Sequence, residues 1–575
     1  MPDVPRAALP IRVDAAPRPN ILVLLADDAG YSDFASFGAT NVSTPHIDAL
    51  VHSGVQFTQW ISAASICTPS RAALQTGRYP LRTGCTGVEE ARRVIPTPSN
   101  PGGLDPAQHM SLATALQSAG YRTGMAGKWH LGINHNDQDR RFSPVRHGYQ
   151  TYIGAPYTNA PMCAMDGDGF SRKVAAGPAS CFMFANDTVV EQPLALENFT
   201  RAITTHATHF VRTQTAAVPW YFFMAYFHVH TPLFTQRHNR GRSRGGAFGD
   251  NVEELDDSVG AIMATVSEMG FANRTLTILT SDNGPYQEEG WDRSGRTNLF
   301  DALTHERIGR LRGGKAQLYE GGVRMPAAVL WPGITPAGGA VSHTLVSTLD
   351  IFPTALAAAG VRLPATYVVD GHSMLPVLRA PQSAATQWDV FLHFCGFRIT
   401  GARVAGRWKV FWATQRWYTF DPPDFAICVQ CCNGVNRAGR VVAHVNASDL
   451  CGCGEADLIS HEAAPIVYDM LTDPGETAAL TNATWPVHAG IAYATVVERA
   501  AARRRAMEAE VHPRPSLGGG GTCTSGLPSP ARQPCCEGCH AVGLLSLRCV
   551  RDDDEHAECS CQRAGLAMGL AESGS

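Results

Sequence analysis

The stretch Pro19-Asn-Ile-Leu-Val-Leu-Leu-Ala-Asp-Asp28 decides how the fold is interpreted. Its apolar run, residues 21–26, is too short for a helix and shows no polar alternation. Both properties are typical of a strand buried on two faces of a parallel sheet. Two carboxylates, Asp27 and Asp28, follow directly. Because open α/β sheets bind ligands beyond the carboxyl ends of their strands, this pair marks a candidate site.

The same kind of apolar run recurs along the first two thirds of the chain. We predict further strands at residues 121–126, 220–227, 276–280 and 327–331. Helical patterns lie between the strands, at residues 44–54, 111–120 and 349–360. In the first of these helices, Thr44 is the expected N-cap and Gly54 follows the end. Strands that alternate with helices predict an α/β fold whose large, mostly parallel sheet is flanked by helices.

Composition sets limits on the class of protein. The chain has 575 residues, 44 % of them hydrophobic, which is enough for a sizeable core. The 47 basic and 51 acidic residues give a formal net charge of −4 without a basic stripe, which argues against nucleic-acid binding. No apolar run reaches the length of about 18 residues that a transmembrane helix needs. Residues 1–20 lack the apolar segment of a signal peptide.

The character of the sequence changes along the chain, which predicts four segments. Residues 1–18 are expected to be a disordered extension, and residues 19–385 the α/β catalytic domain. Residues 386–515 are expected to form a smaller α+β domain, with a cysteine-rich insertion at 428–453 and a helix at 491–510. Residues 516–575 comprise a glycine joint and a cysteine-rich tail, which we expect disulfides to stabilise.

The 17 cysteines favour an oxidising compartment on the secretory route. Six Asn-x-Ser/Thr sequons agree with that route: Asn41, Asn186, Asn198, Asn273, Asn446 and Asn482. The spacing of cysteines in the insertion is compatible with zinc as well, although disulfides fit the compartment better.

Polar side chains follow each of four predicted strands. Beyond the Asp27-Asp28 pair these are Lys128 and His130, His228 and His230, and Asp282 and Asn283. One such pair alone would fit a solvated loop, a helix cap or a structural histidine. Four strand ends with these residue types predict one convergent site.

The oxygen ligands in this set suit a hard cation. Three carboxylates and an amide, from Asp27, Asp28, Asp282 and Asn283, favour Ca²⁺ or Mg²⁺ over zinc. Lys128 and His130 alternate by two, so on an extended backbone they would point the same way. Positive charge next to a histidine suits a tetrahedral oxyanion substrate.

A cysteine lies at the start of a further predicted helix, in Ala64-Ser-Ile-Cys-Thr-Pro-Ser-Arg-Ala-Ala-Leu-Gln-Thr-Gly-Arg-Tyr-Pro80. Cys67 and Arg71 are four residues apart and share a helix face. The N-terminus of this helix would favour an anion. The residues alone leave open whether Cys67 is a buried thiol, half of a disulfide, a metal ligand or something else.

These motifs resemble those of the type I sulfatases of the alkaline-phosphatase superfamily. Cys67-Thr-Pro-Ser-Arg71 matches their Cys-x-Pro-x-Arg signature, and Ala72-Ala-Leu-Gln-Thr-Gly-Arg78 matches its extension. Further matches lie at residues 19–28, 123–132, 246–250, 314–324, 461–462, 468–476 and 535–539. The likeness is strongest to arylsulfatase A, with the galactosamine-6-sulfatase branch near it.

The resemblance implies a set of site residues and a modified cysteine. Cys67 would be oxidised to formylglycine by a formylglycine-generating enzyme. The calcium ligands would be Asp27, Asp28, Asp282, Asn283 and the modified Cys67. Arg71 would hold the formylglycine hydrate, with His130 as its base. Lys128, His230 and Lys315 would bind the sulfate and protonate the leaving oxygen. Thr158 stands where the family has a substrate-contacting serine.

The implied reaction is a two-step sulfate transfer. One hydroxyl of the aldehyde hydrate attacks sulfur, and the second then collapses to the aldehyde and expels sulfate. Cys163 and Cys181 are expected to form a local disulfide near Thr158, and the cysteines and sequons together favour a lysosomal or extracellular location.

Two rival functions remain open at this point. One is a phosphodiesterase or phosphonate monoester hydrolase on the same scaffold. The other is a non-catalytic secreted structural or binding protein. A glycolipid, a glycosaminoglycan or a small aryl sulfate all remain candidate substrates, and the oligomeric state is open.

Overall fold

The computed structural model describes residues 11–12, 18–86, 102–134, 139–158, 181–286, 295, 298–300, 307–415, 453, 458–486, 489–511, 547–550 and 560–563. Several sequence-based predictions lie outside these residues. They are most of the N-terminal extension, the insertion before Cys453, the glycine joint and most of the cysteine-rich tail.

An 11-stranded sheet forms the centre of the described structure. Its strands are β2 (Asn20–Ala26), β3 (Val55–Ile61), β4 (Arg122–Gly127), β5 (Thr151–Gly154), β6 (Met183–Ala185), β7 (Thr188–Glu191), β8 (Trp220–Ala225), β9 (Thr275–Ser281), β12 (Arg324–Leu330), β13 (Ala340–Ser342) and β14 (Val346–Ser347). The order is β13-β3-β12-β9-β2-β8-β4-β5-β6-β7, with β14 also on β3. The block β9-β2-β8-β4-β5 is parallel throughout.

Ten helices are described in these ranges. They are α1 (Pro45–Ser53), α2 (Cys67–Thr76), α3 (Pro80–Thr83), α4 (Leu112–Ser118), α5 (Phe199–Arg212), α6 (Gly246–Glu268), α7 (Glu320–Val323), α8 (Ile351–Ala358), α9 (Leu375–Arg379) and α10 (Tyr493–Glu510). Among the described residues, no helix is long and apolar enough to span a membrane.

Strand β2 explains why helices cover both faces of the sheet. Its side chains alternate in direction. Ile21, Val23 and Leu25 belong to one core, which contains residues of α4 and α8. Leu22 and Leu24 belong to a second core, which contains residues of α1, α5 and α6. A strand buried on both faces needs apolar residues at every position, as the opening stretch has. The predicted α/β fold is therefore confirmed.

One local expectation was wrong, and a second was confirmed in position only. The run at 327–331 was expected to be parallel, but β12 is antiparallel to both β3 and β9. The chain leaves β9 at the carboxyl edge of the sheet, and Gly322, shortly before β12, lies at the same edge because its carbonyl oxygen accepts from Gly284 N–H at 2.9 Å. Strand β12 therefore starts at that edge and runs back. Thr44 is the N-cap residue of α1, as predicted, although its side chain makes no capping bond to the helix backbone and donates to Asp48 Oδ1 at 3.0 Å instead.

The C-terminal sheet consists of β16 (Val390–Cys395), β17 (Arg398–Val404), β18 (Trp408–Phe411) and β21 (Ile466–Asp469), all antiparallel. Two-stranded ribbons pair β19 (Ala413–Gln415) with β20 (Leu458–Ser460), and β22 (Leu547–Val550) with β23 (Ser560–Arg563). Two more pair β1 (Ile11–Arg12) with β15 (Val361–Arg362), and β10 (Asn298–Phe300) with β11 (Arg307–Arg310).

Disulfides are present in the described part of the chain. Cys453, at the end of the predicted insertion, forms a disulfide with Cys395 on β16, so Cys453 is not a zinc ligand. Cys85 and Cys181 are disulfide-bonded as well. The predicted partner of Cys181, Cys163, lies outside the described residues.

Candidate active site

The polar residues predicted from the strand ends lie at one edge of the sheet. Strands β9, β2, β8 and β4 are neighbours and parallel, so their carboxyl ends meet there. Main-chain bonds join the segments beyond these ends. The N–H of Asp27 donates to His228 O at 2.8 Å, and the N–H of Lys128 donates to Ala225 O at 2.8 Å. The strand-end rule therefore placed this edge from sequence alone.

Helix α2 brings Cys67 to the same edge. The helix is buried along its whole length. Two of its hydroxyls fix it to strand ends, because Thr68 Oγ1 donates to His130 O at 3.1 Å and Ser70 Oγ donates to Asp282 O at 2.6 Å. Cys67 is the first residue of the helix, and its Sγ lies 3.8 Å from Asp27 Oδ1. Among the described cysteines, Cys67 is free of any disulfide.

Arg71 lies one turn further along α2 and joins three elements of the site. Its Nε and Nη2 lie 2.9 Å and 2.8 Å from Asp282 Oδ2. The same Nη2 is 3.4 Å from Asp27 Oδ1, and Nη1 donates to Lys128 O at 3.0 Å. The side chain is 2 % exposed. Arg71 thus holds two carboxylates in a fixed relation to Cys67.

Two lysines complete a buried ionic cluster with Asp27 and Asp28. Lys128 Nζ lies 2.6 Å from Asp27 Oδ2, and Lys315 Nζ lies 2.7 Å from Asp28 Oδ2. His230 Nε2 is 3.6 Å from the same Asp28 oxygen. These side chains come from four separate segments of the chain, so the cluster exists only in the folded protein.

The charges of this cluster balance when all its groups are ionised. Asp27, Asp28 and Asp282 supply three negative charges, and Arg71, Lys128 and Lys315 supply three positive charges. A divalent cation added to this set would leave the site with a net positive charge of two. Such a site attracts an oxyanion, as the sequence suggested.

Burial and neighbouring charges shift the pKa of several groups. Burial alone would raise the pKa of Asp27, but Lys128 and Arg71 outweigh it and hold that pKa below its usual value. Burial raises the pKa of the Cys67 thiol to about 12. Burial, together with the charge of Lys315, lowers the pKa of His230 to about 4. Although burial opposes it, Asp28 raises the pKa of Lys315.

The residues fit a bound cation. Asn283 Nδ2 donates to Asp28 Oδ1 at 2.7 Å, while Asn283 Oδ1 is a buried carbonyl oxygen that has no hydrogen-bond partner. Candidate ligand atoms of Asp27, Asp28, Cys67 and His230 all lie within 4.8 Å of one another. Oxygen donors suit Ca²⁺ or Mg²⁺. His230 was not among the metal ligands that we predicted, and its contact with Asp28 places it beside them.

His130 and Thr158 are the last two of the predicted site residues. His130 is buried, and its main-chain N–H donates to Pro156 O at 2.9 Å. Its backbone is not extended as expected, because φ is 58°, so the two-residue alternation with Lys128 was the wrong basis for pairing them. Thr158 is half-buried at the end of the described segment 139–158, and its substrate contact stays a prediction.

Sequence reasoning named His228 as a strand-end residue but missed Ser62 and the two side chains that bond His228, Thr200 and Glu254. Ser62 Oγ donates to Asp282 O at 2.7 Å, next to the bond from Ser70. Buried His228 bonds Thr200 Oγ1 at 2.9 Å and Glu254 Oε2 at 3.3 Å through Nε2. None of these contacts has a local signature, because their partners are far apart in sequence.

Comparisons with known proteins assign this architecture to a class. A family model described as sulfatase matches residues 19–361, and one described as the C-terminal region of aryl-sulfatase matches residues 386–543. These matches identify an enzyme of the sulfatase class. The chain belongs to the sulfatase family.

Individual relatives match along most of their length. Steryl-sulfatase of Rattus norvegicus is 32 % identical over 540 residues, which is 83 % of this chain and 87 % of the relative. Arylsulfatase A of Bos taurus is 34 % identical over 491 residues, 83 % and 86 % of the two chains. The predicted membership of the type I sulfatases, near arylsulfatase A, is confirmed.

Solved structures share the fold. The PsFucS1 sulfatase from Pseudoalteromonas sp. superposes with a TM-score of 0.66 at 23 % identity, covering 87 % of this chain and 91 % of that one. A sulfatase structure from work on the metabolism of multiple glycosaminoglycans by Bacteroides thetaiotaomicron superposes with a TM-score of 0.61 at 24 % identity. The match covers 86 % of this chain and 99 % of that one.

Proposed function

We propose that this enzyme hydrolyses sulfate esters through a formylglycine made from Cys67, with a calcium ion in the Asp27–Asp28–Asp282–Asn283 cluster. The observation that carries the proposal is the position of Cys67. It is the first residue of α2, lies 3.8 Å from Asp27, and shares its site with Arg71, Lys128 and Lys315. The conversion would require a formylglycine-generating enzyme during maturation.

The bound cation and the modified residue would supply the chemistry that the side chains lack. The cation would polarise the sulfate oxygens and neutralise charge that develops on them. The hydrated aldehyde would offer two hydroxyls on one carbon, of which one attacks sulfur and the other drives release of sulfate. Overall, the ester and one water molecule yield the alcohol and hydrogen sulfate.

The residues of the chain then have separate tasks. Arg71 would orient residue 67 through its contacts with Asp27 and Asp282. Lys128, which pairs with Asp27, and Lys315, which pairs with Asp28, would bind the sulfate oxygens. His130 would accept the proton of the collapsing hydrate, and His230 or Lys315 would protonate the leaving oxygen. Thr158 would contact the substrate beyond the sulfate.

The substrate class that we propose is the sulfate ester of an alcohol or phenol. The names of two relatives, steryl-sulfatase and arylsulfatase A, support this class. Disulfides at Cys395–Cys453, Cys85 and Cys181 support maturation on the secretory route, with a lysosomal or extracellular location.

The test combines turnover with two measurements that do not depend on turnover. Purified protein is assayed with matched aryl sulfate and aryl phosphate esters, with and without a chelator. The peptide containing residue 67 is analysed by mass spectrometry, and bound metal is quantified. We expect aldehyde at residue 67, calcium in the protein and a preference for the sulfate ester. Full activity with an unmodified thiol would refute the proposal, and a preference for phosphate would favour the phosphodiesterase alternative.

A further inference from the structure

The Lys315 loop, residues 314–319, joins the active site to the C-terminal part of the chain. On the site side its main chain bonds two segments that carry site residues. The N–H of Lys315 donates to Pro285 O at 2.9 Å, just beyond Asp282 and Asn283. The N–H of Ala316 donates to Ser65 O at 2.6 Å, two residues before Cys67. The loop therefore determines where the Lys315 ammonium meets Asp28.

On its other side the Lys315 loop is bonded by the buried side chain of Gln415. This residue ends β19 and is 3 % exposed. Its Oε1 accepts a hydrogen bond from Leu318 N–H at 3.1 Å, and its Nε2 donates to Ala316 O at 2.8 Å. Because one partner is a donor and the other an acceptor, the amide has a single orientation.

The two bonds from Gln415 span the residues that directly follow Lys315. Ala316 has φ 71°, a left-handed conformation that a residue with a side chain adopts only when its surroundings enforce it. The bond from Gln415 Nε2 to Ala316 O is one of the contacts that fix this conformation. A change at Gln415 would therefore release the turn on which Lys315 stands.

A second contact point lies at the end of the loop. Glu320, the first residue of α7, is fully buried, and its Oε1 accepts from Arg403 Nη1 at 2.9 Å and from Lys409 Nζ at 3.0 Å. Its N–H donates to Glu476 Oε2 at 2.6 Å. These three partners belong to the C-terminal part, so that part holds the loop at two places.

We infer that Gln415 is a positioning residue for Lys315, so that the C-terminal part of the chain completes the active site from outside the large sheet. The inference deepens the proposed function and rests on it, because it requires that Lys315 binds the sulfate ester. If Gln415 only stabilised the fold, replacing it would lower stability, and its effect on activity would be the same with or without the Lys315 side chain.

A double-mutant cycle separates these roles. Four proteins are compared in kcat/KM for an aryl sulfate: wild type, Lys315→Ala, Gln415→Ala and the double variant. In Gln415→Ala, Lys315 should be displaced by a fraction of its side-chain length, which should lower kcat/KM about tenfold. In the Lys315→Ala background, the same change should cost less than about twofold, because the group that it positions is gone.

A near-isosteric variant and a control sharpen the test. Gln415→Glu keeps an acceptor for Leu318 N–H but removes the donor to Ala316 O, so its kcat/KM should fall nearly as far as that of Gln415→Ala. Arg407→Gln is the matched control, because Arg407 pairs with Asp469 inside the C-terminal sheet at 2.6 Å and does not touch the loop. It should keep the wild-type kcat/KM, with thermal unfolding measured for every variant.

Each result decides the question. A large loss in Lys315→Ala with a non-additive loss in Gln415→Ala supports the inference. Additive losses, or unchanged activity in Gln415→Ala while Lys315→Ala is impaired, overturn it and leave the proposed function standing. Normal turnover in Lys315→Ala removes the role of Lys315 from the proposed function, and the inference fails with it.

Discussion

Cys67 is the residue on which the proposed chemistry depends, and it can be tested by replacing one atom. In Cys67→Ser the side chain carries a single hydroxyl. That hydroxyl can attack sulfur, but no second hydroxyl on the same carbon is available to expel the sulfate. We expect no multiple turnover and a protein that gains the mass of one SO₃ group after incubation with substrate. Intact-protein mass spectrometry measures that gain.

The control for this prediction is Cys67→Ala, which has no nucleophile and should gain no mass. Both variants should retain the wild-type fold, because the Cys67 side chain is in no disulfide and its hydrogen bond to Asp27 is long, at 3.8 Å. Multiple turnover by Cys67→Ser at the wild-type rate would contradict the proposed role of the residue.

Asp282 tests the metal site. Its carboxylate bonds Arg71 and also accepts from the N–H of Asp28 at 3.2 Å. Asp282→Ala removes a proposed ligand and leaves the Arg71 charge without the carboxylate that it pairs with most closely, and both effects weaken cation binding. We expect bound calcium to fall to background and activity to be lost. Metal analysis of the purified variant measures the first effect independently of turnover.

Asp370→Ala is the matched control for that change. Asp370 is also buried and pairs with an arginine, Arg82, at 2.8 Å, but it lies outside the site. Both variants lose an ion pair and should lose stability, yet only Asp282→Ala should lose calcium. Normal calcium content in Asp282→Ala would contradict its role as a ligand.

At the residue scale, the strand-end residues could be located from the sequence, because the carboxyl ends of parallel strands lie at one edge of the sheet. Asp27 and Asp282 are 255 residues apart and still meet, since β2 and β9 are adjacent. The supporting contacts of Ser62, His228 and Gln415 follow no such rule. They depend on where loops return, which periodicity does not encode.

At the scale of secondary-structure elements, the sequence predicted five apolar strands of the large sheet and missed its other strands, among them one of mixed polarity. Strand β3, Val55–Ile61, alternates apolar and polar residues, yet Gln56 and Thr58 are buried. Their side chains bond Ser36 O and Ser342 O, which makes burial tolerable. The direction of β12 also depends on tertiary structure, because a run of apolar residues carries no sign of parallel or antiparallel pairing.

Helix α7 depends on a buried cluster of charges. Glu320 faces three cations: Arg403 at 2.9 Å, Lys409 at 3.0 Å and Arg324 at 3.7 Å. Although burial opposes it, Lys409 and Arg403 hold the pKa of Glu320 well below its usual range. Burial raises the pKa of the neighbouring Glu476 to about 7. Glu320 is therefore the main counter-charge of the three cations.

Replacing Glu320 should be costly for this reason. Glu320→Gln leaves three buried cations with a single carboxylate, that of Glu476, and we expect a loss of about 3–5 kcal/mol in the free energy of unfolding. Glu268→Gln is the contrast, because its partner Arg212 is 3.5 Å away and both are more than half exposed. That change should cost less than about 0.5 kcal/mol. Urea denaturation measures both, and equal losses would show that the Glu320 cluster adds no stability.

At the scale of the whole molecule, the large sheet and the C-terminal sheet share a core. Ile61, Ala73 and Tyr79 from the first part pack with Phe391 and Val404 from the second. The sequence indicated a change of structure near residue 386, but it did not predict this shared core. Tyr79 lies next to the sulfatase signature, so its position suggested a role in the signature and not in a contact with the second part.

The acid-base behaviour of the molecule depends on buried groups that the sequence also leaves unidentified. His147 is one such group. It is fully buried, its Nε2 donates to Leu104 O at 2.9 Å, and its ring lies 5.0 Å from that of Trp129. Burial, with the nearby His109, lowers the pKa of His147 to about 4, against the opposing effects of Leu104 O and Asp105. Burial and Arg78 lower the pKa of His109 to about 4 as well.

These two histidines should make the fold less stable in acid. Between about pH 6.5 and about pH 4 the unfolded chain binds protons that the folded protein excludes, so stability falls as the pH drops. In that window each group contributes a slope of about 1.4 kcal/mol per pH unit to the free energy of unfolding, and above it neither group contributes a slope. His147→Gln keeps a donor for Leu104 O but cannot titrate, so it should remove roughly half of the slope that the two histidines produce.

Urea unfolding at about pH 5 and about pH 7 tests this prediction, since the two values lie inside and above the window. His52→Gln, at an exposed position in α1, should leave the difference between the two conditions unchanged. His147→Gln should narrow that difference even if the packing change lowers stability at both pH values, because a packing loss is the same at each pH. An unchanged difference in His147→Gln would mean that His147 is not a source of the acid sensitivity.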